Sequence, residues 1–210
     1  MRKQIEYIAL MGNPNSGKTA IFNLLTGMNQ KVSNYPGITV EKRKGIALLS
    51  YNNEVEILDM PGTYSLTPES LDEKIVAQQV LEWIHGKGPP AAIISVIDAG
   101  NLSRNLYLTT QLLDLDIPVI VALNMMDRIK RKNHNIDCHA LKKMLGASAV
   151  VPMSAREQWG IEELQQELTL VIQNNDISDK LGMQMKIPDE VIKCINPVAE
   201  ILTQKCEYNK

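Results

Sequence analysis

Eight consecutive residues, Gly12-Asn13-Pro14-Asn15-Ser16-Gly17-Lys18-Thr19, have the spacing G-x-x-x-x-G-K-[ST] of a phosphate-cradling loop. In such a loop the glycines let backbone N–H groups converge on phosphate oxygens, and the positive end of the following helix faces them. Lys18 is then placed to reach the β- and γ-phosphates, and the Thr19 hydroxyl to bind Mg²⁺. The pattern carries weight only between a strand and a helix. Here the apolar run 5–11 precedes it, and the periodic Ile21, Leu24 and Leu25 follow. A glycine turn with an exposed lysine would satisfy the letters but not these flanks.

Further along, Asp59-Met60-Pro61-Gly62 closes an apolar run. A carboxylate at such a strand end holds Mg²⁺, usually through water, and leaves the Gly62 N–H free to meet a γ-phosphate. Asn124-Met125-Met126-Asp127 ends the run Val119 to Leu123. Asp127 could accept both N1–H and N2–H of guanine. Adenine offers no such pair, and a buried carboxylate left unpaired by the wrong base costs about 1–3 kcal/mol or more, so this is a specificity device. Ser154-Ala155-Arg156 would offer the Ala155 N–H to guanine O6, although three such letters are uninformative alone.

These motifs must be held by strands and helices. Apolar runs alternate with helical patterns, the signature of an α/β fold with a mostly parallel sheet flanked by helices. Six strands are expected near 5–11, 44–51, 54–59, 91–98, 117–124 and 149–152, the second and third joined by a two-residue turn at Asn52-Asn53. Helices are expected near 18–27, 70–86, 102–115, 137–145 and 160–174. Segments 27–43 and 60–69 read as long functional loops. Beyond Asn174 the chain turns polar, then Pro188 to Cys206 reads as a helix interrupted at Pro197. A domain boundary near 172 gives a nucleotide-binding domain, 1–172, and a C-terminal helical appendage, 173–210.

Bulk properties narrow the class. With 210 residues, 44% apolar and 22% charged, the chain can bury a core. A net charge of −2 argues against a broad nucleic-acid surface, and the basic cluster Arg128, Lys130, Arg131, Lys132 reads as a solvated loop. Cys138, Cys194 and Cys206 show neither C-x-x-C spacing nor an even count, which fits a reducing cytosol. Apolar runs fall short of the roughly 18 residues of a membrane span, and no secretory segment opens the chain, so the segment is expected to be soluble. Cys138, His139, His85 and His134 do not converge as a transition-metal site would require.

The ordered set of phosphate loop, Thr39, D-x-P-G, N-x-x-D and S-A-R resembles the Ras-like GTPases of the translation-factor class. The strings Asn34-Tyr35-Pro36-Gly37-Ile38-Thr39-Val40-Glu41, Asp59 to Leu66, Asp98-Ala99-Gly100-Asn101-Leu102 and Arg104 to Leu108 are narrower. They resemble the cytoplasmic G domain of the ferrous iron transport protein B family, over about residues 5–172.

That resemblance implies a Ras-like P-loop GTPase fold and a GTP-hydrolysing, regulatory role on the cytoplasmic side of a bacterial inner membrane. The partner would be a membrane channel region of the same full-length protein, absent from this chain. No nucleic acid is implied, and assembly into a homo-oligomer is compatible with it. GTP or GDP would be held by Asn13, Asn15, Ser16, Gly17, Lys18, Thr19, Ala20, Gly37, Ile38, Thr39, Asp59, Gly62, Asn124, Met125, Asp127, Ser154, Ala155 and Arg156. Thr19, Thr39 and Asp59 would bind Mg²⁺. Lys18, Thr39, Gly62 and Asn15 would act in hydrolysis, Asn15 by holding K⁺ against the phosphates in place of an arginine finger.

Two departures stand out. Met125 replaces the lysine usual in the base motif, removing a stacking cation and weakening affinity without changing base preference. Thr63 stands where Ras-like proteins orient water with Gln, so intrinsic turnover should be slow. A ribosome- or tRNA-associated GTPase, or a switch with negligible turnover, are the competing readings.

Overall fold

The alternating pattern folds, in a computed structural model that describes residues 6–35, 40–49 and 53–180, into one sheet covered by helices on both faces. In chain order the elements are β1 (Tyr7–Gly12), α1 (Lys18–Thr26), β2 (Gln30–Asn34), β3 (Glu41–Leu48), β4 (Glu54–Asp59), α2 (Leu71–Ile84) and β5 (Ala92–Asp98). Then come α3 (Leu102–Leu113), β6 (Val119–Asn124), α4 (Met126–Arg131), α5 (Cys138–Leu145), β7 (Ala149–Pro152) and α6 (Ile161–Lys180). Seven strands lie in the order β2-β3-β4-β1-β5-β6-β7. The β2–β3 and β3–β4 pairs are antiparallel, and every other pair is parallel.

Strand β2 corrects the expected count of six, and with β3 it occupies much of the segment read as a loop over 27–43. The reason is visible in its composition. Gln30-Lys31-Val32-Ser33-Asn34 is exposed throughout, so no apolar alternation marks it, and it exists by pairing with Glu41 to Gly45 of β3. Helix α4 is the second correction. The basic cluster at 128–132 forms this helix and its C-cap rather than a loop, and its six residues are too few to show a period.

Residues 50–52, with Asn52 of the expected turn, lie outside the described residues, but the Leu49 N–H donates to the Asn53 carbonyl at 2.8 Å and closes the connection. The Pro188–Cys206 helix and Gly37, Ile38 and Thr39 also lie outside the described residues. Helix α6 continues through residue 172 to Lys180.

Strands β1, β5 and β6 read as near-continuous apolar runs, broken in the interior only at Ser95, because both of their faces are covered, as parallel strands require. Side chains alternate between two cores. Ile8 and Leu10 meet Phe22 and Leu25 of α1 and Leu164 and Leu168 of α6. Ala9 and Met11 meet Val76 and Val80 of α2 and Leu108 and Leu112 of α3. A third cluster, with Ile97, Leu123, Met126 and Ile129, seats α4 beside the end of the sheet. On the β2 side, Gly45 lets α1 approach, since a Cβ there would lie 2.5 Å from Thr26 Cγ2. This scaffold carries the ends of β1, β4, β5, β6 and β7 to one edge, where ligands of open α/β sheets bind.

Candidate nucleotide site

The helix ends separate structural caps from an open one. Ser70 and Glu73 form a reciprocal capping box on α2, and Asp137 Oδ1 accepts from the Ala140 N–H on α5. Helix α1 has neither a side-chain cap nor an acidic residue in its first turn. Its N–H groups, including those of exposed Thr19 and Ala20, face the preceding loop and are available to an anion.

Gly17 turns the chain into α1 at φ 91°. A Cβ there would lie 2.2 Å from Asn124 Nδ2, so the position needs glycine for both conformation and space. Within the loop, Ser16 and Asn13 are buried. Ser16 Oγ and Asn13 Oδ1 find no hydrogen-bond partner, while Asn13 Nδ2 donates to the Arg104 carbonyl at 3.4 Å. Asn15 is exposed and left-handed, at φ 64°.

Lys18 Nζ is paired with Asp59 Oδ1, and both side chains are nearly buried. The structure therefore joins the loop lysine to the strand-end carboxylate expected to hold Mg²⁺. The Asp59 carboxylate and the Thr19 hydroxyl are hard oxygen donors of the kind Mg²⁺ takes. Gly62 packs on Pro14, with 3.3 Å to a Cβ built there. Thr63 points inward: it is fully buried, its hydroxyl donates to the Ser65 carbonyl at 2.6 Å, and its N–H donates to the Gly12 carbonyl at 3.3 Å.

Beside these, Tyr35 is buried and its hydroxyl donates to Met60 Sδ at 3.6 Å. Burial, and then the Asp59 charge, push its phenol up to about 12. Tyr35, the residue after β2, thus packs against the loop that follows Asp59.

The end of the candidate site at β6 and β7 is organised by Asn124. Its Nδ2 donates to the Ser16 carbonyl and its Oδ1 accepts from the Ala155 N–H, each at 2.9 Å. One side chain thus ties the phosphate loop, the end of β6 and the loop after β7 together. The Ala155 amide, expected to face guanine O6, is engaged by Asn124 here. Asp127 is buried, and its Oδ1 accepts from the Ser154 hydroxyl at 3.0 Å. Asp127 Oδ2 is buried without a hydrogen-bond partner. Met125 is left-handed at φ 63° and lies near Gly17, while Arg156 is exposed.

Arg104, singled out by the sequence only within a family-like string, has contacts that the sequence did not show. Its carbonyl holds Asn13 and its guanidinium stacks 4.0 Å from the Tyr64 ring, joining α3 to the loop after Asp59. Only their coming together in the fold reveals that pairing. A cavity of about 310 Å³ lies elsewhere, at the β2–β3–β4 edge by Lys31, Lys44 and Glu56, and includes none of the motif residues. Among the described residues no group of three or more His, Cys, Asp or Glu could hold a metal ion.

The sequence model of a family described as ferrous iron transport protein B matches residues 6–168. The chain belongs to this family. An Fe(2+) transporter FeoB of Legionella pneumophila (strain Paris) is 48% identical over 163 residues, covering 76% of this chain and 21% of the relative. One from Salmonella typhimurium is 45% identical over 180 residues, covering 84% and 22%. The chain thus spans about a fifth of the length of these FeoB relatives.

Among solved FeoB structures, the cytosolic domain of the L. pneumophila protein superposes with a TM-score of 0.72 at 47% identity, covering 79% of this chain and 63% of that one. The cytosolic domain of the T. maritima iron transporter, solved in a GDP form, gives 0.74 at 38% identity, covering 82% and 65%. The fold is that of the FeoB G domain. No helix among the described residues is long and apolar enough to cross a membrane.

Proposed function

We propose that this domain binds GTP with Mg²⁺, reads the guanine through Asp127, and hydrolyses the γ-phosphate. The observation that carries the reading is the Asn124 side chain. It bonds to the Ser16 carbonyl and to the Ala155 amide, which supports one nucleotide reaching from the phosphate loop to the loop after β7. Solved relatives bound to GDP or a GDP analogue support it.

The chain's own groups would work mainly by position and charge. Lys18 leaves Asp59 and turns to the β- and γ-phosphates, while the free N–H groups of α1 and the loop hold the phosphate oxygens. Asp59 and Thr19, with Thr39 from the 36–39 segment, would hold Mg²⁺, which when bound supplies charge against the phosphates. Gly62 would meet the γ-phosphate with its N–H. Gly37, Ile38 and Arg156 would complete the nucleotide contacts.

Thr63 is packed inward with its hydroxyl engaged by the Ser65 carbonyl, and it lacks the amide with which a glutamine would orient water. Turnover is therefore slow and rises when Asn15 holds K⁺ beside the phosphates. The same Thr63 geometry favours a second reading, a switch that binds GTP with negligible turnover. Phosphate release from GTP in KCl, with ATP as control, separates the two. Steady release from GTP alone supports hydrolysis, and tight GTP binding without release supports the switch.

We place this domain within a longer iron(II) transporter, on the cytoplasmic side of a bacterial inner membrane. There its nucleotide state would act on a membrane channel region, with residues 173–210 opening a helical domain between them. Self-association would be read by sedimentation with and without GTP.

A further inference from the structure

We propose that Arg131 is a positioning residue for the guanine-reading carboxylate, clamping Asp127 to the loop after β7 and slowing nucleotide release. The inference rests on the guanine reading above. Arg131 ends α4 one turn beyond Asp127, so its guanidinium reaches back along the helix. One nitrogen, Nη2, lies 3.3 Å from Asp127 Oδ2 and 2.7 Å from Glu157 Oε1.

These contacts close a ring. The Ser154 hydroxyl donates to Asp127 Oδ1 at 3.0 Å and accepts from the Glu157 N–H at 3.1 Å. Glu157 reaches Arg131, and Arg131 returns to Asp127 Oδ2. Two chain segments, the start of α4 and the loop after β7, are joined in this way around one carboxylate.

The ring treats the two carboxylate oxygens differently. Oδ1 is engaged by Ser154. Oδ2 is buried and accepts no hydrogen bond, with Arg131 Nη2 3.3 Å away as an ion pair only. Its lone pairs are left for the donors of a base while the adjacent positive charge fixes where it points. Exposure divides the labour: the Arg131 side chain is 57% exposed at the rim, and that of Asp127 is 3% exposed beneath it. A tether that merely held the loop would slow release of every purine diphosphate equally. An arginine that orients Oδ2 should matter more for guanine than for hypoxanthine, which lacks the exocyclic amino group.

The test measures release of ribose-labelled fluorescent GDP and IDP from the wild-type chain and from Arg131→Ala, with Arg131→Lys and Glu157→Gln alongside. Unfolding midpoints establish that each variant is folded. Wild-type chain binding GDP and not ADP supports the guanine reading by itself. For Arg131→Ala, GDP release should quicken about twofold to fivefold, the scale of a partly exposed charge network, with association changed by less than about 1.5-fold. IDP release should quicken less, and Arg131→Lys and Glu157→Gln should fall between wild type and Arg131→Ala. Unchanged GDP release in folded Arg131→Ala, or equal acceleration for both nucleotides, would overturn the inference while leaving the guanine reading intact. A wild-type chain that binds no guanine nucleotide would overturn both.

Discussion

Gly17→Ala tests whether one side chain integrates the site. An alanine at φ 91° carries a backbone cost of about 1–2 kcal/mol. Its Cβ would stand 2.2 Å from Asn124 Nδ2, so Asn124 must leave. Two buried hydrogen bonds go with it, to the Ser16 carbonyl and from the Ala155 amide, at about 1 kcal/mol each. The sum is roughly 3–4 kcal/mol, a large part of a typical domain's stability of about 5–15 kcal/mol. Because the lost bonds hold the phosphate loop and the loop after β7 in register, nucleotide affinity should fall roughly thirtyfold.

Gly27→Ala is the matched control. Gly27 is also left-handed, at φ 59°, but nothing lies within 4 Å of a Cβ built there. It should cost about 1–2 kcal/mol and leave affinity unchanged. Urea unfolding and calorimetric titration with GDP read both quantities. Equal destabilisation by the two variants, or undiminished GDP affinity in Gly17→Ala, would show that Asn124 does not hold the two loops together.

Other expectations follow from single contacts. Asn15→Ala should abolish the stimulation of phosphate release by KCl over NaCl while GDP still binds, and equal wild-type rates in the two salts would remove the K⁺ assignment. Ser70→Ala breaks the capping box of α2 and should cost about 1 kcal/mol in urea unfolding. Burial raises the pKa of Glu73, but the Glu69, Tyr64 and Ser70 amides and the Ser70 hydroxyl outweigh it and hold the carboxyl below its ordinary value of 4.5. A carboxyl lowered by folding stabilises above its unfolded pKa and loses that contribution as pH falls through its folded one. Glu73→Gln should therefore destabilise at neutral pH, with the difference from wild type shrinking below about pH 4.5.

Much of this site was legible because its parts are local. The phosphate loop sits between an apolar run and a helical period, and Asp59, Asn124 and Ser154 each end or follow a strand that composition alone marks. What stayed hidden depends on tertiary contact. Strand β2 has no apolar face and takes its structure from β3, so its residues look like loop. Thr63 could be seen to lack the chemistry of glutamine, but its inward turn onto the Ser65 carbonyl could not be read. Asn124 reaches Ser16 across 108 residues of sequence, and no periodicity records that bond. Arg131 stood in a basic cluster that reads as solvated, although its spacing from Asp127 is that of one helical turn.

The central claim is that Asp127 makes this a guanine site, and Asp127→Asn tests it most directly. XTP carries an oxygen where GTP carries the exocyclic amino group, so an amide at this position can donate where the carboxylate could only accept. Competition of GTP and XTP for the folded variant should show GTP affinity falling by roughly two orders of magnitude and XTP affinity rising above it. Unchanged GTP affinity, with no gain for XTP, would contradict the account.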